Sequence, residues 1–348
     1  MSCLLLTGYP GFLASNLLPR ILTQRPDDEV ACLVEGRFME VAQTRLQGLD
    51  PALLPRVKLV AGDITKPGLA LESPLQVSEI FHFAALYDLN VERALGLRIN
   101  LEGTQNVLRY GELCPNFKKI HYVSTCYVSG RYAGPYLESD LDKGQRFNNF
   151  YEETKFLAEV EVQKSALPWV IYRPAIVVGD SRSGATLKYD GPYPVIRWLL
   201  RFPWLSVLPR IGDPSVSRLN LVPQDFVLDA LTHLSLHAAE AGKVYQLSDP
   251  TPLTVEEMLA ELGRICQRKV IPLPTPLGVA KLALKKIPAV SKWSGFTPAM
   301  VDYFVHPTHY MCENTTQALD GTGIRCPDVR RVLPRLVEYV RQHPTPVG

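Results

Sequence analysis

The sequence predicts an α/β fold, a doubly wound parallel sheet with a smaller C-terminal lobe. Short apolar runs alternate with longer helical patterns through the first half, as in parallel strands joined by right-handed crossovers. A glycine-containing turn follows the first apolar run. After about Gly179 the pattern becomes irregular and rich in proline, glycine and tryptophan, as expected where a chain leaves the sheet to build a substrate-binding lobe.

The composition bounds the class of protein. The chain has 348 residues, long enough for one large core or a core domain plus a lobe. Its 37 basic and 35 acidic residues nearly balance, so no nucleic-acid partner is expected. The first strand is expected at about Cys3, which leaves no room for a signal or transit peptide, and we expect a cytoplasmic protein. The cysteines include no C-x-x-C pair, so no metal site is predicted.

The apolar runs and helical periods give an ordered set of elements. Strands are predicted at 3–6, 30–34, 57–60, 80–83, 120–123, 169–172 and 244–247. Helices are predicted at 12–23, 38–46, 91–110, 150–166, 254–266 and 329–342. We expect residues 1–178 to form a dinucleotide-binding domain, to which the chain returns at about 219–250. Residues 179–218 and 251–348 are expected to form the substrate-binding lobe.

The turn after the first strand is the stretch Thr7-Gly8-Tyr9-Pro10-Gly11-Phe12-Leu13-Ala14. A strand, turn and helix of this kind direct backbone N–H groups and the positive end of a helix dipole at a pyrophosphate. Gly8 and Gly11 lack the Cβ that would obstruct its approach, and Ala14 allows close helix packing. The turn predicts a Rossmann-type nucleotide site, although such turns are common in α/β proteins.

Three further side chains suit acid–base chemistry. Tyr151 and Lys155 are four residues apart, hence on one helix face. An ammonium there favours the tyrosinate, so a phenol with an ordinary pKa near ~10 can exchange protons closer to neutral pH. Ser124 and Thr125 follow a predicted central strand, at the end where doubly wound sheets bind ligands. Alone, each motif is also typical of an exposed pair or a capped turn; their order indicates one site.

Together these motifs resemble the extended short-chain dehydrogenase/reductase superfamily over essentially the whole chain. The matching stretches are TGYPGFLA at 7–14, Gly62-Asp63, HFAA at 82–85, NLEGTQNVL at 100–108, STCYVSG at 124–130, YEETK at 151–155 and YRP at 172–174. Within it the chain is most similar to the acyl-thioester reductase branch, which includes fatty acyl-CoA reductases of the male-sterility type and reductase domains of carboxylic acid reductases. That similarity lies in AALYDL at 84–89, VSTCYVSG at 123–130, VVGDSRSG at 177–184 and DGPY at 190–193.

The resemblance implies a role for each matching residue. Tyr151 would donate a proton, Lys155 would lower the pKa of Tyr151 and hold the nicotinamide ribose, and Thr125 would hydrogen-bond the substrate carbonyl oxygen. The expected cofactor-binding residues are Thr7, Gly8, Tyr9, Gly11, Phe12, Leu13, Glu35, Arg37, Asp63, Ile64, Ala84, Ala85, Asn100, Lys155, Pro174 and Ile176. The expected substrate contacts are Tyr87, Tyr127 and Tyr193.

The end of the second strand bears on the choice of cofactor. An acidic residue there can bind the ribose 2′-OH of NAD(H), whereas an arginine suits the 2′-phosphate of NADP(H). This sequence offers Glu35 and Arg37, and related reductases often carry a basic residue where Glu35 stands. We expect NADP(H) to be preferred because of Arg37, with NAD(H) as the alternative.

The function expected from this resemblance is NAD(P)H-dependent reduction of an apolar, long-chain acyl thioester, carried by CoA or an acyl carrier protein, to an aldehyde or alcohol. The apolar segment from Tyr193 to Leu208 favours such a substrate. One alternative is a dehydrogenase or reductase of a hydroxyl/ketone pair on a sterol- or flavonoid-like molecule. A second is a non-catalytic NAD(P)-sensing protein. We expect a monomer or a homodimer.

Residues 277–293 combine apolar side chains with Lys281, Lys285, Lys286 and Lys292. No run in the chain reaches the roughly 18 uninterrupted apolar residues of a spanning helix. This stretch could lie on a membrane surface, or it could cover a pocket with its lysines in water. We favour the second interpretation and leave peripheral membrane contact open.

Overall fold

The computed structural model describes residues 2–202, 204–238, 240–287, 291 and 295–345. The strands are β1 Cys3–Thr7, β2 Glu29–Val34, β3 Val57–Ala61, β4 Glu79–His82, β5 Lys119–Val123, β6 Gly134–Tyr136, β7 Trp169–Pro174, β8 Ile176–Val178, β9 Leu205–Arg210, β10 Leu221–Pro223, β11 Lys243–Leu247, β12 Lys269–Pro274 and β13 Thr308–Tyr310. The α-helices are α1 Phe12–Gln24, α2 Met39–Leu46, α3 Arg93–Gly96, α4 Gly103–Glu112, α5 Phe150–Lys164, α6 Tyr193–Arg201, α7 Gln224–His233, α8 Val255–Cys266, α9 Leu277–Lys286, α10 Glu313–Leu319 and α11 Val329–Gln342.

Seven strands form one sheet in the order β11-β7-β5-β4-β1-β2-β3. Every neighbouring pair is parallel. The chain moves outward from β1 to β3 and then crosses back to β4, on the other side of β1. Loops diverge at this reversal and leave a crevice at the carboxyl ends of the strands, where ligands bind in such sheets. The predicted α/β, doubly wound parallel fold is confirmed, and all seven predicted strands lie in this sheet.

Both faces of the sheet are covered by helices. Leu4 and Leu6 of β1 pack with Leu17 and Ile21 of α1. Leu5, which points to the opposite face, packs in a cluster that includes side chains of α4 and α5. A strand buried on both faces needs apolar residues at consecutive positions rather than at every second position. Such strands are therefore recognisable in the sequence as continuous apolar runs.

The helix predicted at 91–110 is interrupted in the structure. A π-helical segment, Leu97–Glu102, joins α3 to α4. The wider turn carries Asn100, whose side chain is almost completely buried. Segments of this kind occur often at functional sites, and periodicity alone does not reveal a single widened turn.

A hydrophobic cluster joins helices of the predicted lobe to Tyr127 and Val178. It contains Ile196 and Leu199 of α6, Met258 of α8, and Leu333 and Leu336 of α11. Strands β9 and β12 form a separate parallel ribbon. Helix α9 belongs to the stretch 277–293, of which residues 288–290 and 292–294 lie outside the described residues. Within the described ranges, no helix is long and apolar enough to cross a membrane.

Residues 308–319, which belong to the predicted lobe, also contact the predicted dinucleotide-binding domain. Strand β13 pairs with β6, and Tyr310 and Leu319 pack in a cluster with Tyr245 and Leu247 of β11. Both side chains thus bury their apolar surface against the large sheet. The division of the chain into two parts stays a prediction.

Candidate active site

The turn between β1 and α1 lies against the loop that follows β4. Gly8 has a φ of +87°, and a Cβ there would lie 2.7 Å from the backbone nitrogen of Ala84. A Cβ on Gly11 would lie 2.6 Å from the carbonyl oxygen of Gly8, which accepts a hydrogen bond from the Gly11 N–H. Only glycine fits at these two positions without moving backbone atoms.

Thr7 holds the turn in place through its side chain. Its hydroxyl oxygen accepts hydrogen bonds from the Phe83 and Ala84 N–H groups, both at 3.2 Å, and contacts His82 Nδ1 at 2.7 Å. His82 Nε2 lies 3.1 Å from Thr104, whose hydroxyl donates to the Asn100 carbonyl. His82 therefore donates through Nε2 and accepts from Thr7 through Nδ1. Burial lowers the pKa of His82 to about 3, so the ring is neutral.

The start of α1 suits an anion. Among the described residues, no side chain caps the helix at Gly11, and its first turn contains no acidic residue. The first N–H groups of the helix are left for another acceptor. Thr7 and Tyr9 are buried, so we expect only their backbone atoms to meet a cofactor. Phe12 and Leu13 are half-buried at the start of the helix.

The predicted cofactor-selecting residues lie beyond β2. Glu35 and Arg37 are exposed and form an ion pair of 2.9 Å. The Arg37 guanidinium also lies 4.7 Å from the centre of the Phe38 ring. Arg45 of α2, which the sequence reasoning missed, donates to the Pro10 carbonyl in the glycine turn at 2.7 Å. Arg45 reaches the turn only because of how α2 packs, and no local sequence motif indicates that packing.

Hydrogen bonds fix the loops that follow β3 and β4, two strands that lie on opposite sides of β1 in the sheet. After β3, Asp63 accepts from the Thr65 N–H at 2.8 Å, and the carbonyl of buried Ile64 accepts from Asn106 at 2.8 Å. After β4, the loop holding Ala84 and Ala85 continues to Leu86, whose N–H donates to Asn100 at 2.8 Å.

Asn100 connects the loop after β4 to α5. While its side-chain oxygen Oδ1 accepts a hydrogen bond from the Leu86 N–H, its side-chain nitrogen Nδ2 donates to the Thr154 hydroxyl at 3.0 Å. Thr154 lies beside Lys155 in the chain, so one buried amide fixes the nucleotide-side loop relative to the helix with the predicted catalytic residues.

Thr125 and Tyr151 meet at the carboxyl ends of β5 and β7. Thr125 follows β5, and its hydroxyl donates to the Pro174 carbonyl at the end of β7, at 3.4 Å. Burial raises the pKa of the Tyr151 phenol, while a hydrogen bond with Thr125 opposes the rise. Ile176 is half-buried just beyond Pro174, in β8.

Lys155 is held by the strand rather than by Tyr151. Its ammonium donates to the Tyr122 hydroxyl at 2.7 Å and to the Val123 carbonyl at 2.8 Å. Burial lowers the pKa of Lys155 to about 7, and the charge of Glu159 opposes this. The Thr125 hydrogen bond opposes the rise in the pKa of Tyr151, and the predicted effect of Lys155 on that pKa stays a prediction. Tyr122 was missed because a tyrosine in a buried strand is typical of a core residue.

Glu152, also missed, connects the start of α5 to the lobe. The carboxylate is completely buried and accepts hydrogen bonds from the Asn148 N–H at 2.8 Å and the Tyr303 hydroxyl at 2.9 Å. Burial raises the pKa of Glu152 to about 7, which these hydrogen bonds oppose. Because Tyr303 lies 151 positions away in the chain, sequence alone does not indicate the contact.

The three predicted substrate contacts lie in different environments. Tyr87 is 44% exposed, and its ring meets the Tyr151 ring edge-on at 5.1 Å. Tyr127 is buried against Tyr303 at 4.7 Å. Tyr193 is buried, and its hydroxyl accepts from the Gly179 N–H at 2.8 Å. Tyr127 and Tyr193 are therefore packed within the protein, and substrate contact by the three tyrosines stays a prediction.

A cleft of about 820 Å³ lies beside the start of α5. Its lining includes Phe150 and Glu153 of α5 on one side and Lys281 and Leu282 of α9 on the other. Helix α9, which belongs to the stretch 277–293, thus lines this cleft, and both interpretations of the stretch stay open.

Comparisons with known proteins agree with this geometry. The family model described as "Male sterility protein", an NAD-binding domain, matches residues 6–231. A linear gramicidin synthase of Brevibacillus parabrevis is 28% identical over 280 residues, which are 74% of this chain and 5% of that protein. Fatty acyl-CoA reductase wat of Drosophila melanogaster is 25% identical over 275 residues, 65% of this chain and 52% of that protein. The chain thus spans only part of these relatives.

Two solved structures share the fold over almost the whole chain. The terminal R domain from the myxalamid PKS-NRPS biosynthetic pathway has a TM-score of 0.79 and 25% identity, covering 99% of this chain and 91% of that one. A thiolation-reductase di-domain from an archaeal non-ribosomal peptide synthetase has a TM-score of 0.72 and 18% identity, covering 98% of this chain and 75% of that one.

Proposed function

The chain belongs to the male sterility protein family of NAD-binding domains, and from that premise we propose that it is an NADP(H)-dependent reductase of a long-chain acyl thioester. The observation that carries the proposal is the placement of Thr125, Tyr151 and Lys155 at the carboxyl ends of the central strands. A phenol, a hydroxyl and an ammonium there are the groups that carbonyl reduction needs. The fatty acyl-CoA reductase among the relatives supports the substrate class.

A nicotinamide dinucleotide fits the residues on the other side of the site. Gly8 and Gly11 leave no room for a Cβ, and the first N–H groups of α1 suit a pyrophosphate. Asp63 and Ile64 would flank the adenine of the cofactor. Ala84 and Ala85 would lie beside the middle of the cofactor, and Pro174 and Ile176 would contact the nicotinamide. When bound, the cofactor supplies the hydride.

The chain's own groups would manage charge and protons at the carbonyl oxygen. Negative charge develops on that oxygen during reduction, and hydrogen bonds from Thr125 and Tyr151 stabilise it. Because burial raises its pKa, Tyr151 stays protonated at neutral pH and can donate a proton. Lys155, whose pKa is about 7, can exchange a proton near neutral pH and resupply the phenol.

A thioester needs no further nucleophile from the protein. After the hydride and a proton have been added, the C–S bond of the resulting hemithioacetal breaks as the C=O bond re-forms, and the hydroxyl proton passes to the departing sulfur, which gives an aldehyde and a free thiol. The Cys126 thiol, next to Thr125, is buried and donates to the Arg173 carbonyl, and burial raises the pKa of Cys126 well above its ordinary value. It packs the strand end and takes no part in the reaction.

Two arginines support a preference for NADP(H). Arg37 neutralises Glu35, and Arg45 lies against the glycine turn. An exposed ion pair is worth only about 0–1 kcal/mol, so Arg37 can leave Glu35 for a 2′-phosphate at little cost. A carboxylate already paired with Arg37 is a poorer acceptor for the ribose 2′-OH of NAD(H), and a guanidinium matches the geometry of a phosphate.

The proposal is tested with purified protein, NADPH, and acyl-CoA and acyl-carrier-protein thioesters of several chain lengths. We expect cofactor oxidation matched by release of free thiol, with aldehyde or alcohol identified as product. The variant Tyr151→Phe should lose roughly 10²- to 10⁴-fold in rate. If no thioester yields free thiol, the assignment fails; turnover confined to a ketone and alcohol panel would favour the alternative dehydrogenase.

A further inference from the structure

Two stretches of the lobe carry basic residues and no acidic residue. Residues 191–212 contain three arginines, and residues 262–301 contain two arginines and five lysines. The rest of the chain holds the other 27 basic residues and all 35 acidic ones, a formal charge of −8 against +10 for the two stretches. On a surface that serves only solubility, basic and acidic residues are interspersed. The absence of acidic residues from these two basic stretches therefore indicates that they bind a partner.

The two stretches meet in the β9 and β12 ribbon. The register sets Leu205 beside Lys269, Val207 beside Ile271, and Pro209 beside Leu273. Residues two apart on a strand point to the same side, so the exposed apolar side chains share one face of the ribbon, while Ser206 and Leu208 are buried beneath it. Trp204, just before β9, is 81% exposed.

Helix α9 continues this surface. It begins shortly after β12, and its Ala280 packs on Ile211, which follows β9. On other faces of the helix, Val279 and Leu282 are exposed beside the exposed Lys286. Large apolar residues flanked by lysines thus extend from the ribbon to the helix.

We propose that this basic apolar surface, formed by Trp204, Leu205, Val207, Ile271, Leu273 and the exposed side of α9, binds an anionic lipid membrane. Apolar side chains would enter the boundary between headgroups and acyl chains, and the lysines would attract the headgroups. A membrane that contains anionic lipid has a negative surface potential, so a binding face gains from stretches that carry basic residues and no acidic ones. A protein partner usually fixes its register with charges of both signs, which favours lipid over an acidic protein.

The surface adjoins the cleft beside the start of α5, the helix that carries Tyr151 and Lys155. Gly278, Lys281 and Leu282 of α9 line that cleft, and Leu282 is also exposed. Membrane contact would therefore bring the cleft mouth close to acyl chains. This consequence rests on the proposed reductase function, whereas vesicle binding requires no turnover and is measured separately.

The test is flotation of the full chain with phosphatidylcholine vesicles, with and without phosphatidylserine. We expect flotation only with phosphatidylserine, and a loss at high salt because the Debye length falls from about 10 Å at 0.1 M to about 3 Å at 1 M. Each lysine near an anionic surface contributes roughly a fivefold gain in binding, so Lys269→Gln with Lys286→Gln should bind about thirtyfold more weakly. Trp204→Ser should weaken binding too.

A matched control uses Leu113 and Lys118, which are exposed outside this surface. Leu113→Ser with Lys118→Gln should bind vesicles like the unchanged protein, and circular dichroism establishes that each variant folds. The proposal is overturned if the unchanged protein does not float at low salt, or if the control loses as much as the lysine variant. It is also overturned if the two lysines are needed for an acidic carrier protein and not for vesicles.

Discussion

The ammonium of Lys155 lies 2.7 Å from the phenolic oxygen of Tyr122, a strand residue that the family motifs do not include. With the Val123 carbonyl, it gives the buried ammonium two acceptors on β5. The position of Lys155 therefore depends on a strand as well as on its own helix.

Tyr122→Phe is expected to lower the pKa of Lys155 further. Removing an acceptor leaves a buried charge with fewer hydrogen bonds, which costs about 1–3 kcal/mol of stability and favours the neutral amine. The fall of kcat/KM as pH rises through the pKa of Lys155 should then occur at lower pH, as a rate profile would measure. Tyr245→Phe, which removes a hydrogen bond to Ala238, is the control; a profile unchanged in Tyr122→Phe would contradict the expectation.

The part of the free energy of unfolding that Glu152 and Lys155 contribute should pass through a minimum near neutral pH. The pKa of Glu152 is raised from 4.5 to about 7, so between these values the folded state holds a proton that the unfolded chain releases, and stability falls as pH rises. The pKa of Lys155 is lowered from 10.5 to about 7. Above about pH 7 the unfolded chain holds the extra proton, and stability rises with pH.

Glu152→Gln tests the acidic half of this curve. The amide cannot ionise, so the loss of about 2 kcal/mol that Glu152 contributes between about pH 5 and pH 7 should be absent from the variant, as urea denaturation at both values would show. Glu153→Gln, which removes an exposed partner of Arg93, is the matched control and should keep the loss. Equal slopes in all three proteins would show that Glu152 does not titrate in this range.

Gly8→Ala should abolish NADPH binding. The new Cβ would meet backbone atoms at 2.7 Å, so the turn must move. Gly242→Ala separates this effect from backbone strain, because Gly242 has a similar φ of +80° with nothing within 4 Å of the added Cβ. The control should lose about 1–2 kcal/mol of stability and still bind. Fluorescence titration with NADPH measures the difference; tight binding by Gly8→Ala would rule out this turn as the cofactor site.

Substitutions of Glu35 and of Arg45 should change the preference for NADPH over NADH in opposite directions. Glu35→Gln frees Arg37 and removes a repulsive charge, so the ratio of kcat/KM with NADPH to that with NADH should rise roughly fivefold. Arg45→Ala removes a cation beside the turn and should lower the ratio about tenfold. Arg20→Ala, which breaks an exposed pair with Asp229, should leave it unchanged. A ratio unmoved by both test variants would place the 2′-phosphate elsewhere.

The sequence could predict what depends on local pattern. Doubly buried strands are continuous apolar runs, and the turn at Gly8 and Gly11 and the spacing of Tyr151 and Lys155 are short-range motifs. It could not predict contacts that depend on docking. Tyr122 with Lys155 joins a strand to a helix, and Arg45 reaches Pro10 only once α2 has packed.

The pairing of β13 with β6 has a consequence for how the chain folds. The Thr308 hydroxyl also hydrogen-bonds the Tyr132 carbonyl, 176 positions away. Contacts between such distant residues form slowly, because the entropy cost of closing a long loop comes before the contacts can stabilise the chain. We therefore expect the seven-stranded sheet to form first and the lobe to pack against it later. Folding chains would then pass through an intermediate in which the strands β1 to β5 are paired but Tyr303 does not yet contact Glu152.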